Sequence, residues 1–231
     1  MFTTASSLTD ILRDAPASVS VFHQHGLDYC CGGKTSLQKA CSDRGLDVQM
    51  ILGELVNAKD SDVSGSIHPE LWNTAFLIDY IINNHHSFLR NTLPMACEQM
   101  QRVVDRHGDR YPDAKAIAEL MEELRSTLLE HLDEEEKGVF AAVLTDANAA
   151  SATHEIENHE KSHSDVGRKL QRLRALTNEF VPPLDACTTH RAGYDSMRRI
   201  YEDTMQHVYL ENALLFPHII SDINRITNTH H

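Results

Sequence analysis

His131-Leu-Asp-Glu-Glu135 and His207-Val-Tyr-Leu-Glu211 are two copies of one phrase, 76 residues apart, each followed five residues later by a phenylalanine, Phe140 and Phe216. Each phrase places an imidazole and a carboxylate at i and i+4, on one face of an α-helix and about one turn apart. With 15 histidines in the chain, about one such spacing arises by chance. The repeat is what carries weight. His86 precedes His131 by 45 residues and His163 precedes His207 by 44, so a two-helix unit of His, then His-x-x-x-Glu, occurs twice.

The surrounding sequence supports long helices. Apolar residues recur at helical spacing in Leu71, Ala75, Ile78, Ile82, Leu89 and Leu93, and no alternating strand pattern occurs. Four helices are expected: Pro69 to His107 with a kink at Pro94, Asp113 to Leu144, Ser151 to Thr177, and Cys187 to Ser221. Short connections between long helices predict an all-α, up-down-up-down four-helix bundle over residues 69–225. At ~1.5 Å rise per residue, and with turns near residues 110, 148 and 183, the four histidines and two glutamates fall at nearly one height. They can converge inside the bundle.

Such a donor set contains nitrogen and oxygen but no thiolate. Six ligands exceed what one zinc ion takes and suit a dinuclear site bridged by the glutamates, with iron favoured and manganese compatible. Taken singly, each histidine reads as an ordinary core residue. Glu135 lies in the acidic run Asp133-Glu-Glu-Glu136, the other members of which read as a solvated face. His159-Glu-Lys-Ser-His163 formally matches the H-E-x-x-H of zinc proteases, with Glu160 as general base. That reading leaves the 76-residue repeat unexplained and wants a sheet-floored cleft. Glu160-x-x-His163 is also half of a ferritin-type signature that has no second half here. His159 has no assigned place in the pattern, and His85, His107, His154 and His190 are expected to be bystanders.

Composition narrows the function class. Of 231 residues, 34 are acidic and 21 basic, a formal net charge of −13. That disfavours nucleic acid and anionic membrane surfaces as partners. There is no apolar run of transmembrane length. The start, Met1 to Asp10, lacks the basic and apolar regions of a secretory signal. Five cysteines, an odd number, suit a reducing cytoplasm better than a disulfide framework.

Asp60-Ser-Asp-Val-Ser-Gly-Ser66 reads as a linker, 59–68, after a small helical domain at 1–58. In that domain Ser7 can cap a first helix carrying Leu8, Ile11 and Leu12. Val19, Val21 and Phe22 suit a second helix ended by Gly26, and Lys34 to Cys41 and Asp47 to Val56 suit two more. Between them lies Asp28-Tyr-Cys30-Cys31-Gly-Gly33. Adjacent thiols can act as a redox or metal-handling pair, passing electrons or accepting iron, and a helix N-terminus beneath them would favour the thiolate. They can equally be two small residues in a tight turn. Cys41, Cys97 and Cys187 are expected in the core.

The order His86, His131-x-x-x-Glu135, His163, His207-x-x-x-Glu211 resembles that of hemerythrin-like domains. Leu27-Asp-Tyr-Cys-Cys-Gly-Gly-Lys34 resembles the opening signature of the Repair of Iron Centers family, with Leu37, Leu46-Asp-Val48, Pro182-Pro183, Ala186-Cys-Thr-Thr189 and Leu210-Glu-Asn212…Leu215-Phe-Pro217 as its continuation. One departure is Ala141 after Phe140, where the family often has Phe-Pro. The resemblance implies a hemerythrin-like bundle with two non-haem iron ions bound by His86, His131, Glu135, His163, His207 and Glu211, and a working role for Cys30 and Cys31. It implies a cytoplasmic protein that repairs iron-sulfur clusters after nitrosative and oxidative stress by supplying iron. Damaged iron-sulfur proteins are then its partners, nitric oxide or oxygen its small ligands, and a homodimer a compatible assembly. The same site could instead serve a di-iron nitric oxide reductase or a carrier of oxygen or nitric oxide.

Overall fold

The computed structural model describes residues 2–60, 69–145 and 149–229. These are predominantly helical and contain no strand, only an isolated bridge between Ser7 and Ser36. No described helix is long and apolar enough to cross a membrane. The described residues divide into two compact units: the chain up to Leu77 together with that from Val208 onward, and Ile78–His207.

In the first unit, α1 (Leu8–Asp14) begins at Ser7, whose hydroxyl accepts from the Asp10 amide as an N-cap. α2 (Ser18–His25) ends at Gly26 with φ 64°, the left-handed residue that helix termination favours. α3 (Leu37–Asp43) starts at Ser36, whose hydroxyl accepts from the Lys39 amide, and α4 covers Val48–Asp60. The two caps are tied together, because the Leu8 amide donates to the Thr35 carbonyl and the Leu37 amide to that of Ser6. Leu8, Ile11, Leu12, Phe22, Tyr29, Leu37, Ile51 and Leu55 are fully buried, each contributing about 1.5–3 kcal/mol. Of the expected linker, residues 59 and 60 close α4, and 61–68 lie outside the described residues. The unit also holds a 3-10 turn at Pro69–Leu71, a π-helical turn at Leu210–Leu215 and α11 (Phe216–Thr229).

The second unit is built around four long helices. α5 (Thr74–Tyr80) runs into a π-helical turn at Ile81–His86 and then α6 (Ser87–His107), which continues through Pro94. α7 is Ala114–Lys137, α8 Val139–Leu144, α9 Ala149–Leu176 and α10 Thr188–Tyr209. α7 packs against both α6 and α9. α10 reaches α6 through a hydrogen bond from the Ser196 hydroxyl to Gln99, and α9 through Arg174 donating to the Tyr201 hydroxyl. The expected second helix is broken at Gly138 (φ −98°, ψ −104°), where a Cβ would stand 2.6 Å from the Glu134 carbonyl oxygen.

Core residues recur at alternating spacings of three and four. The buried stripe of α6 reads Leu89, Leu93, Ala96, Met100 and Val103, and that of α7 reads Ile117, Met121, Leu124, Leu128, the pattern of an inward helix face. The same stripes continue into His86 on one helix and into His131 and Glu135 on the other. α9 carries His159, His163, Val166, Leu170 and Leu173 on one such stripe. One end of the core is therefore histidine and glutamate where the rest is aliphatic.

Candidate metal centre

Two pairs of imidazoles face each other there. The Nε2 atoms of His131 and His163 are 2.9 Å apart with rings nearly perpendicular at 84°, and those of His86 and His207 are 3.1 Å apart at 73°. Glu135 stands between the pairs. Its Oε1 lies 3.0 Å from His131 Nε2 and 3.5 Å from His163 Nε2, and its Oε2 lies 3.4 Å from His86 Nε2 and 3.9 Å from His207 Nε2. All five side chains are at most 1 % exposed. Glu211 is also fully buried, on the π-helical turn four residues beyond His207.

Burial by itself would raise the Glu135 carboxyl. The surrounding His131, His163 and His86 outweigh that, so it sits well below the ordinary carboxylate range. A buried carboxylate costs several kcal/mol unless it is paired and hydrogen-bonded. Yet neither oxygen of Glu135 has a hydrogen-bond partner of good geometry among the described residues, and nor does His131 Nδ1. A cation answers this deficit. Two nitrogens bound at ~2.1 Å to one ion at right angles are about 3.0 Å apart, the separation found in both pairs. The imidazole and carboxylate donors fit metal binding, and a nitrogen-oxygen set of this kind would suit iron.

Further residues orient this set. His86 Nδ1 is 2.8 Å from Glu136 Oε1, which also accepts from Arg90 at 3.1 Å, and Arg90 donates to Asp133 at 2.7 Å. A carboxylate on the far nitrogen of a ligand histidine fixes its tautomer and ring orientation. Glu136 therefore does more than face solvent, and only its position opposite His86 reveals it. Phe140 stacks on the His86 ring at 5.9 Å, which assigns a place to the aromatic residue of the repeated phrase. His85, expected as a bystander, is buried; its Nδ1 lies 3.0 Å from Asp203 Oδ1 and its ring is stacked 5.8 Å from that of His207. The π-helical turn explains how adjacent His85 and His86 are both buried. Its extra residue per turn shifts the helical register, as such turns do at functional sites.

His159 is buried, with its ring 5.3 Å from His131 and Nδ1 3.8 Å from Glu135 Oε1. Glu160 is exposed, so the protease-like reading has no general base in the buried cluster. His190 packs between Tyr111 and Tyr194, His107 is half-buried and His154 is exposed.

The cysteine pair lies in the turn after α2. Cys30 Sγ and Cys31 Sγ are 3.5 Å apart, and Asp28 Oδ1 accepts from the Cys30 thiol at 3.2 Å and from the Cys31 amide at 3.0 Å. The glycines that follow are required by space: a Cβ on Gly32 would meet the Asp28 carbonyl oxygen at 2.6 Å, and one on Gly33 would meet that of Tyr29 at 2.6 Å. The thiols do not sit at a helix N-terminus, since α3 begins only at Leu37, so that source of thiolate stabilisation is missing. The hydrogen bond with Cys31, burial and the Asp28 charge push the Cys30 thiol well up. Cys41 is buried as expected and Cys97 half-buried. Cys187, expected in the core, is exposed, because it lies in the connection just before the first residue of α10.

Residues 77–219 match the family model of the hemerythrin HHE cation binding domain, and residues 4–59 match ScdA_N, a domain of unknown function. Among curated relatives, the chain is 31% identical to the iron-sulfur cluster repair protein YtfE of Citrobacter koseri, with 93% of this chain and 96% of the relative covered. It is 28% identical to the iron-sulfur cluster repair protein ScdA of Staphylococcus haemolyticus, over 94% and 98%. It is 29% identical to a probable iron-sulfur cluster repair protein of Haemophilus influenzae, over 93% and 96%.

Proposed function

This chain belongs to the family of iron-sulfur cluster repair proteins that carry a hemerythrin HHE cation binding domain, and from that premise we propose that it restores damaged iron-sulfur clusters with iron held by His86, His131, Glu135, His163, His207 and Glu211. The observation that carries this reading is Glu135, buried between two imidazole pairs with one oxygen toward each. Glu211 enters by its spacing from His207 and its burial.

A bound iron pair supplies a store of releasable ferrous iron. The residues of the chain keep that store accessible but contained. The four imidazoles would hold an ion through the Nε2 atoms that face Glu135. Glu136 and Arg90 hold the His86 ring in place, and Phe140 covers its face. Glu135 brings negative charge among the imidazoles at that end of the core. Cys30 and Cys31 are proposed to handle metal or electrons between the bundle and the damaged cluster. Nitric oxide or oxygen as small ligands, a homodimer, and a cytoplasmic setting in keeping with an odd number of cysteines, five, belong to the same reading.

The test is recovery of activity by an oxidant-damaged iron-sulfur hydro-lyase, with protein expressed in iron-57 and its metal read by Mössbauer spectroscopy. Two coupled irons per chain and recovered activity, both lost in a His131→Ala, Glu135→Ala variant, are expected. Recovery with unbound iron but not with the loaded protein refutes the repair reading, and sustained nitrous oxide formation without recovery replaces it by nitric oxide reduction.

A further inference from the structure

Outside the bundle, the described residues place one other group of metal-binding side chains together: Asp28, Cys30 and Cys31, whose ligand atoms all lie within 4.8 Å of one another. We infer that these three form a second cation site, selective for a borderline-soft divalent ion, through which iron passes between the bundle and a client cluster. The inference rests on the repair reading for the identity of the ion, and on geometry for the site.

An ion bound tetrahedrally at ~2.3 Å by two thiolates holds them about 3.8 Å apart; the Sγ atoms stand at 3.5 Å. Asp28 Oδ1, 3.2 Å from Cys30 Sγ, lies where a third donor on the same ion belongs. The Cys31 amide, donating to Asp28 Oδ1 at 3.0 Å, holds the carboxylate against both cysteines. Cys30 is 5 % exposed and Cys31 half-buried, so an ion would enter from the Cys31 side. With only three protein donors, a fourth position stays open, as in zinc sites that exchange ligands and unlike closed structural ones. Two thiolates and a carboxylate also differ from the imidazole-rich bundle set, and thiolates favour softer ions.

The turn is fastened to the helix that carries Glu211. The Asn212 side-chain amide donates to the Cys30 carbonyl at 3.1 Å, and the Tyr29 ring meets that of Tyr209 edge-on at 5.8 Å. Thus the residue after Glu211 holds the backbone of the first thiol. On binding, two S–H bonds are replaced by two sulfur–metal bonds and two protons pass to solvent; no electron is transferred.

Alkylation of the full-length reduced protein, with cadmium as the metal, tests this directly. The rate of iodoacetamide labelling is followed by peptide mass spectrometry at Cys31 and at the exposed Cys187, which serves as an internal reference. Cadmium is expected to slow Cys31 at least tenfold and leave Cys187 unchanged, with most of the protection lost in Asp28→Asn and in Cys30→Ser. Unchanged Cys31 labelling in the parent, or equal protection in Cys30→Ser, overturns the shared site. The His131→Ala, Glu135→Ala variant separates the two claims. If it keeps Cys31 protection while bundle iron is absent even in the parent, the thiol site stands and the iron store falls. If the parent holds two irons but cadmium does not protect Cys31, the store stands and the thiol site falls.

Discussion

Replacing Glu136 with alanine should weaken metal binding without touching any proposed ligand. Its Oε1 is 2.8 Å from His86 Nδ1 and holds the ring with Nε2 turned toward Glu135 and His207. Loss of such an outer carboxylate typically costs 10–100-fold in affinity. The Glu136 side chain is 31 % exposed and shared with Arg90, so solvent and a competing cation already weaken its hold. The low end applies: about tenfold, or ~1.4 kcal/mol. Glutamine at the same position keeps an acceptor but loses the charge, which roughly halves such a hydrogen bond, so Glu136→Gln should lose only about threefold. Arg90→Ala removes the competing partner and leaves the His86 contact, and should stay within about twofold of the parent. The assay is a competitive chelator titration of cobalt or ferrous iron into the apo protein, with thermal unfolding as a check on the fold. Affinity in Glu136→Ala equal to the parent, or a loss in Arg90→Ala as large as in Glu136→Ala, refutes the reasoning, since either outcome detaches the effect from the His86 ring.

Leu128 is fully buried on the core stripe one turn before His131, and Leu128→Ala should cost about 2–5 kcal/mol by denaturant unfolding; a loss below ~1 kcal/mol contradicts tight packing there. Gly138→Ala puts a Cβ 2.6 Å from the Glu134 carbonyl oxygen and should cost about 1–3 kcal/mol, with weaker metal binding because α8 carries Phe140 over His86; an unchanged melting temperature contradicts it. Burial, then the Glu70 charge, pushes the Tyr209 hydroxyl up to about 12. Its folded value is raised, so its stabilising contribution is full below the unfolded value of ~10 and is lost as pH rises toward 12, about 1.3 kcal/mol between pH 9 and 11. Tyr209→Phe should remove that part of the alkaline loss in urea unfolding, and an unchanged pH slope would show that Tyr209 does not titrate between the two states.

Why the bundle and its five facing side chains were legible follows from where they stand. His86, His131, Glu135 and His163 occupy positions of the same inward stripe as Leu89, Leu128 and Val166, so helical periodicity and metal-ligand spacing are one signal in the sequence. The parts that were not legible depend on partners far apart in the chain. Glu136 is 50 residues from His86 and lies in an acidic run that, by composition, resembles solvated surface. The π-helical turns have no local signature: burial of both His85 and His86, one against Asp203 and the other against Glu136, accompanies the shifted register at Ile81–His86. The break at Gly138 was visible as a glycine but not as a stop, because its need arises from a close approach to the Glu134 carbonyl. The core at this end trades aliphatic packing for a cluster that is stable only when its charges are answered. Metal affinity and fold stability are therefore coupled at this end, where Leu128 acts first on unfolding because it fills the core one turn from His131, and Glu136 acts first on binding because it holds the His86 ring.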